Sequence, residues 1–393
     1  MRIVVGVSGG IAAYKACELV SRLVKAGHDV RVSMTEAAAQ FVAPLTFRAL
    51  SGHAVGVLAR DEPDGPLSHV QWAHWADALV VAPATASLIA RWASGQADDL
   101  LSLVYLGFRG PVLIAPAMEA EMWEHPRTQA NMDQLVRDGV LSVGPRFGRM
   151  ASGLEGMGRM AEPIEIVEAL DELTTPKDLL GLHIVVTAGA TWEHFDPVRV
   201  LTNPSTGRMG VLIANLAARR GAQVILVAGP SVQESVHAAV VLKRVVSAED
   251  MLAVVEDVAD EADVIVGAAA VSDFRPRIRL SQKAHKEAIG EEWLMSSNPD
   301  IMGIMGERYQ GKKILVGFAA ETDNAVDQAA KKRVRKHLDA VVANLVGDGR
   351  GFGDGVHQAW LVTAGEVVGL GSRKQDSARL LLDWIGLRQR GGL

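Results

Sequence analysis

The chain holds one cysteine, Cys17, so no disulfide closes within it and its stability rests on packing. Aromatic residues make up only 5% of the 393 positions. Alanine, valine and leucine must therefore fill the interior, which suits strands covered on both faces. Positive charge is not in excess: 40 basic residues face 46 acidic ones, a net charge of −6. That removes the electrostatic case for nucleic acid or an anionic membrane surface as a partner. No apolar run reaches the roughly 18 residues that a spanning helix needs. The opening MRIVVGVSGG carries no charged head, long apolar run or cleavage site, so a cytoplasmic protein is expected.

What is present is a large apolar fraction, 49%, in a chain long enough for two domains. Arg2–Val7 reads as a β-branched strand, Ile11–Lys25 as a helix, and Asp29–Ser33 as a second strand. Thr35 with Glu36 reads as the cap of a further helix. Ala78–Ala82 and Val112–Ala115 are short buried strands, Asn131–Asp138 lies in a helix, and Ile164–Leu173 is a closing helix. TTPKDLLG, Thr174–Gly181, breaks the periodicity and reads as a linker. Strands at His183–Thr187, Gln223–Ala228, Val264–Ala268, Ile314–Phe318 and Ala340–Ala343, with a helix over Arg208–Arg220, form a second set. The fold class expected is α/β: two doubly wound parallel-sheet domains, flavodoxin-like then Rossmann-like, over residues 1–173 and 182–393.

Ser8-Gly9-Gly10 ends the first strand. Alone, such a turn fits a plain strand-to-helix reversal as well as an anion site. Thr35 and Pro83-Ala84-Thr85-Ala86-Ser87 also follow strands, and three such turns on one edge favour a phosphate-bearing cofactor. His69 and His74 in SHVQWAHWAD offer the same chemistry, and spacing does not choose between them. In the second half, Arg199, then Asn203-Pro204-Ser205-Thr206-Gly207-Arg208, form a polar glycine loop opening a helix, either a capped turn or an anion site. The small residues of Gly267–Ala270 and the nearby Asp273 permit close approach of a flat or phosphorylated ligand, and Asp273 is a candidate for Mg²⁺ or a ribose hydroxyl. Lys283 and Lys286 lie in a polar loop, and five cations crowd Lys331–Lys336. A charge run is usually a solvated face; in an acidic chain this one favours a polyphosphate. Neither GxGxxG nor a Walker fingerprint occurs in this half.

SGGIAAYKA, LTFRALSG, SHVQWAHWADALVVAPATA, GQADDLLS, APAMEAEMW and GRMAEP resemble, in order, the flavin-dependent cysteine decarboxylases. VTAGATWEHFDPVRVLTNPSTGRMG, AAAVSDFRP, SSNPDIM, VGFAAET and KKRVRKHLDAVVAN are similar to phosphopantothenate–cysteine ligases. Together they match the bifunctional phosphopantothenoylcysteine decarboxylase/phosphopantothenate–cysteine ligase family. The resemblance implies FMN held near Ser8, Gly10, Thr35 and the Pro83–Ser87 turn, and His69 rather than His74 as the catalytic histidine. It implies a CTP-dependent ligation of cysteine to 4′-phosphopantothenate, with Mg²⁺. Asn203 and Arg199 would contact the acyl-cytidylate, and Gly267, Ala268, Ala269, Asp273, Pro299, Asp300, Ile301, Met302 and Phe318 would surround the nucleotide. Lys283, Lys332 and Lys336 would meet its phosphates. It also implies flavin-domain trimers and ligase-domain dimers combining into a dodecamer. Two positions depart from the family: Glu119 stands where it has asparagine, and Ser152 where it has a cysteine that protonates the enethiol intermediate. A glutamate accepts where an amide donates, and a hydroxyl is a weaker acid than a thiol. They leave a second expectation open, a ligase whose flavin domain is only a scaffold or regulatory binding module.

Overall fold

The computed structural model describes residues 1–57, 63–65, 67–283, 285, 293–347 and 357–391; Lys286 lies outside them. Contacts divide the chain into two units, Met1–Thr175 and Pro176–Leu393.

In the first unit the strands are β1 (Arg2–Val7), β2 (Asp29–Met34), β3 (Val55–Gly56), β4 (Ala78–Ala84), β5 (Val112–Pro116) and β6 (Leu141–Ser142), followed by the hairpin β7 (Arg146–Arg149) and β8 (Glu155–Arg159). The helices are α1 (Ala13–Lys25), α2 (Pro44–Ser51), α3 (Ser68–Trp75), α4 (Ala86–Ala93), α5 (Leu100–Gly107), α6 (Ala120–Glu124), α7 (Pro126–Arg137) and α8 (Pro163–Thr174). The six parallel strands run in the order β3-β2-β1-β4-β5-β6. Leaving aside the two-residue β3, this is the flavodoxin-like order, with its switch point between β1 and β4. Alternation along β1 builds two cores. Ile3, Val5 and Val7 pack with Leu19, Val20 and Leu23 of α1, while Val4 packs with Leu79, Leu101 and Trp72 on the other face.

The helix expected at Thr35 is a single 3₁₀ turn, Ala38–Gln40. Ala43 precedes a proline and is extended, so the chain leaves the turn and restarts at Pro44, the first residue of α2.

The second unit has strands β9 (His183–Ala188), β10 (Glu193–His194), β11 (Val200–Leu201), β12 (Gln223–Ala228), β13 (Val240–Arg244), β14 (Val264–Gly267), β15 (Phe274–Pro276), β16 (Met295–Ser297), β17 (Ile314–Glu321), β18 (Ala340–Leu345), β19 (Ala359–Val362) and β20 (Val367–Gly369). Its helices are α9 (Arg208–Arg219), α10 (Ala248–Ala259), α11 (Ile301–Tyr309), α12 (Ala325–Arg335) and α13 (Lys374–Gln389). The main sheet runs β13-β12-β9-β14-β17-β18-β19-β20, parallel up to β18 and antiparallel beyond it. The parallel part has the Rossmann order, with its switch point between β9 and β14. Ile184, Val186 and Ala188 face α9 and α13, and Val185 faces α10 and α11.

The segment read as a linker is packed. Thr174 ends α8, and Leu179 is fully buried in the second unit's core. Arg220, after α9, forms a fork on Asp178 at 2.8 and 2.6 Å and also reaches Asp383 of α13 at 2.7 Å.

Candidate functional site

In the first unit, polar groups gather at the carboxyl ends of β1, β2 and β4. Ser8 Oγ donates to Pro83 O at 2.8 Å and accepts from Thr85 N at 2.9 Å, which pins the first and third turns together. Thr35 Oγ1 accepts from Ala38 N at 3.2 Å and shapes the second. Gly9 has no room for a side chain: a Cβ there would lie 2.3 Å from that of Ala37. Two cavities adjoin these turns. One of about 400 Å³ is lined by Ser8, Gly9, Thr35, Thr85, Ser87 and Arg91, among others. The other, about 690 Å³, shares Gly9, Thr85 and Ser87 and extends along Met118, Glu119, Met122, Met150 and Met160.

This arrangement fits a flavin mononucleotide. A polar turn at the start of α4 suits a phosphate. Arg91, held by Asp98 and Asp99 at 2.8 and 2.9 Å, keeps a buried Nε that has no partner among the described residues. The methionine-lined cavity suits an apolar ring. Glu119 is half-buried at this cavity, and its Oε2 accepts from Ser152 Oγ at 2.8 Å. That bond ties the turn of the β7–β8 hairpin to the loop after β5.

In the second unit two cavities meet near the switch point. The first, about 240 Å³, is lined by Gly267, Ala269, Asp273, Pro299, Asp300, Ile301, Met302, Phe318, Lys332 and Lys336. The second, about 510 Å³, is lined by the Asn203–Met209 loop, Ala268, Asn344, His357 and Lys374. Ala269, Val271, Asp273, Phe318 and Lys332 line both. Gly267 is required by packing, since a Cβ would come within 2.5 Å of Met302 Cγ. Gly207, at φ 78°, turns the loop into α9.

Lys332 Nζ donates to Phe318 O at 2.6 Å. Burial pulls its ammonium below the ordinary lysine value, helped by Lys336 and opposed by Asp300 and Glu321. Burial works to raise the Asp300 carboxyl, but Lys336 at 2.6 Å, the Gly303 N–H and Lys332 hold it below its usual range. Asn203 Nδ2 donates to Ala270 O and Val271 O at 3.2 and 3.3 Å. Among the described residues no group of three or more His, Cys, Asp or Glu could hold a metal ion.

The comparisons with known proteins follow the same division. The family described as "Flavoprotein" matches residues 1–175, and the "DNA/pantothenate metabolism flavoprotein C-terminal domain" matches residues 179–387. The "Coenzyme A biosynthesis bifunctional protein CoaBC" of Bacillus subtilis is 44% identical over 352 residues, covering 88% of this chain and 86% of that one. The protein of the same name from Escherichia coli is 42% identical over 398 residues, with 98% and 97% covered. The chain belongs to this family of bifunctional coenzyme A biosynthesis proteins. A crystal structure of the C-terminal domain of a coenzyme A biosynthesis bifunctional protein CoaBC aligns with 34% identity and a TM-score of 0.47, over 55% of this chain and 99% of that one.

Within this family member, the expected site residues do not all converge. Ser8, Gly9, Gly10, Thr35, Thr85, Ala86, Ser87 and Glu119 line the flavin-side cavities, with Ser152 hydrogen-bonded to Glu119. Pro83 and Ala84 end β4 beneath them. His69 is the second residue of α3 and lines neither cavity. In the ligase half, Arg199 and Lys283 stand outside both cavities. Arg199 is held by Asp196, which is fully buried, at 3.0 Å, and Lys283 is exposed. Sequence reasoning missed Arg91 of α4, although the GQADD that supplies its partners stood out as a motif. It also missed Asn298, His357 and Lys374, whereas Arg335, one of the five cations of the Lys331–Lys336 run, does line the smaller cavity. His357 and Lys374 come from segments with no expected element, so no signal marked them.

Proposed function

We propose that the two halves catalyse successive steps of coenzyme A biosynthesis. Residues 182–393 use CTP to ligate cysteine to 4′-phosphopantothenate through an acyl-cytidylate, and residues 1–173 decarboxylate the product, 4′-phosphopantothenoylcysteine. The observation that carries the reading is the pair of cavities sharing Lys332, Asp273 and Phe318. A ligase must bring a carboxylate to a nucleotide's α-phosphate, and two adjoining cavities with one cation at their junction meet that demand.

Nucleotide would sit in the smaller cavity, against Gly267, Ala269 and the Pro299–Met302 turn, with Lys332 and Lys336 offsetting phosphate charge. Mg²⁺ would be shared between Asp273 and the phosphates, since this ion commonly takes one or two carboxylates and completes its shell from substrate and water. The acid substrate would occupy the larger cavity, its carboxylate toward Lys332 and Asn203. The carboxylate oxygen attacks the α-phosphorus and pyrophosphate leaves; the amine of cysteine then attacks the acyl carbon and CMP leaves.

In the first half, FMN supplies a two-electron acceptor and donor when bound. Ser8, the Thr85–Ser87 turn and Arg91 would hold its phosphate. The methionines would exclude water from its ring, and Glu119 and Ser152 would position the substrate's reacting end. His69 and Arg199 lie away from the cavities of their own chain, which supports sites completed by a second copy. Trimers of one half and dimers of the other, combined as a dodecamer in the cytoplasm, fit that arrangement. The scaffold reading of the flavin half is not favoured: that half matches its family from end to end, and Glu119 and Ser152 are joined within a built cavity.

A paired assay tests this reading: pyrophosphate release from CTP with 4′-phosphopantothenate and cysteine, and carbon dioxide release from 4′-phosphopantothenoylcysteine. Absence of the first activity would overturn the ligase assignment, and absence of the second the decarboxylase assignment.

A further inference from the structure

One buried group in the larger ligase-side cavity has no role in the steps above. His357 precedes β19, is 4% exposed, and lines that cavity. Its Nε2 lies 2.8 Å from Ser377 Oγ, and Ser377 Oγ donates to Leu370 O at 2.7 Å. The hydroxyl has one proton and gives it to the carbonyl, so Nε2–H must be the donor to the serine. Nε2 therefore keeps its proton, and Nδ1 is the atom whose protonation can change. Nδ1 is buried and, among the described residues, has no partner. Native structures rarely leave such an atom unpaired unless a ligand or water completes it.

The surroundings say which ligand. Arg208 opens α9 and Lys374 opens α13, and both line this cavity, so two helix N-termini and their first-turn cations converge there. Such a site selects an anion. The charged groups facing the cavity are Arg208 on α9, Lys374 on α13, Lys332 on α12, Asp273 after β14 and Glu321 at the end of β17. Asn344 of β18 is neutral, and its Oδ1 is also buried without a partner among the described residues. The acid substrate has two anionic ends. Its carboxylate must reach the junction with the nucleotide cavity, at Lys332. His357 and Lys374 line only the larger cavity, so the other end, the phosphate, falls to them.

We propose that His357 reads the phosphate of the acid substrate through a one-proton hydrogen bond between Nδ1 and a phosphate oxygen. The assignment rests on the reading of this cavity as the seat of 4′-phosphopantothenate. Burial, and then the charge of Lys374, push the imidazole below its ordinary value, so Nδ1 is bare before the ligand enters. A phosphate monoester is a dianion at pH 8, its second pKa being about 6. Neither atom then carries a proton for the bond, and one is drawn from solvent as the complex forms. No covalent bond changes. Ser377 is a positioning residue that holds Nε2 and turns Nδ1 to the ligand.

Calorimetry on the full chain at pH 8, in two buffers of different ionisation enthalpy, tests this with 4′-phosphopantothenate, pantothenate and CTP. The wild type should take up about one proton per bound 4′-phosphopantothenate and none per pantothenate. His357→Gln should lose the uptake and bind 4′-phosphopantothenate about 10- to 150-fold more weakly, the span of a hydrogen bond to a charged group. Its CTP affinity should not change, and its preference over pantothenate should shrink by the same factor. Ser377→Ala should keep the uptake with a smaller loss of affinity. Should His357→Gln fail to bind CTP, the smaller His357→Asn replaces it. Binding without proton uptake, or a glutamine variant with undiminished phosphate preference, overturns the assignment of His357 alone. No binding of 4′-phosphopantothenate to the wild type overturns the cavity reading and this assignment together.

Discussion

Replacing Lys332 with methionine should separate stability from catalysis. The side chain is partly buried at the junction of the two ligase-side cavities, and its ammonium donates to Phe318 O at 2.6 Å. A hydrogen bond from a charged donor is worth about 1.5–3 kcal/mol, and every 1.4 kcal/mol is a factor of ten. If that interaction is transferred to the reacting phosphate only in the transition state, kcat/KM for ligation should fall about 10- to 150-fold, with kcat carrying most of the loss. Folding should respond differently. The folded-state pKa of Lys332 is depressed by burial, so in the window between it and the ordinary lysine value of about 10.4 the unfolded chain binds more protons. Wild-type stability therefore rises with pH through that window, and below it the buried charge is a standing cost. Methionine keeps the length and removes the charge, so its melting temperature at pH 7 should equal or exceed that of the wild type, and the alkaline rise should flatten. Pyrophosphate release and thermal melts from pH 7 to 10.5 measure both. A variant with near-normal kcat, or one that melts well below the wild type at pH 7, would refute the reasoning.

Other outcomes follow from the same contacts. Gly9→Ala should abolish flavin absorbance while leaving pyrophosphate release intact, because its Cβ would strike Ala37 where the phosphate turn closes. Glu119→Asn with Ser152→Cys should change both the rate of carbon dioxide release and the accumulation of enethiol, whereas Ser152→Cys alone should move only the second; equal effects on both steps from the single change would contradict the assigned roles. Arg220→Met should destabilise the second unit by about 1–3 kcal/mol in urea unfolding, since it strands two carboxylates that are still partly solvated. The hydrogen bond from Arg220 holds the Asp178 carboxyl below its ordinary value, so the stability it contributes is full above about pH 4 and lost as pH falls through the depressed pKa; the variant should lack that acid-side loss.

The long parallel strands were legible because burial on both faces writes a continuous apolar run, as in Ile3–Val7 of β1 and Ile184–Val186 of β9. The short edge elements were not. β6 has two residues, both exposed, and the β7–β8 hairpin keeps only alternate glycines inside, so neither carries an apolar signature. Thr35 looked like a helix cap because its side chain does accept from the residue three ahead; what the pattern concealed was that Pro44 forces a restart. At the sites, residues next to glycine-rich turns were readable, since the turn itself is the signal. Arg91, His357 and Lys374 were not, because each reaches its cavity from a helix or a segment whose local sequence serves another purpose. Arg199 and Lys283 were legible as chemistry but not as geometry: their residue types fit the reaction, while their own chain places them outside both cavities.

The fork of Arg220 has a consequence for how this chain can be divided. Asp178 stands where the polypeptide enters the second unit, and Asp383 stands in its last helix. One guanidinium thus fastens the first and final turns of that unit to each other, without recourse to anything in the preceding 175 residues. A gene carrying only the second half would still encode both ends of the clasp, so fusion or fission at this boundary leaves the knot tied, whereas trimming the C-terminal helix removes one of its two anchors.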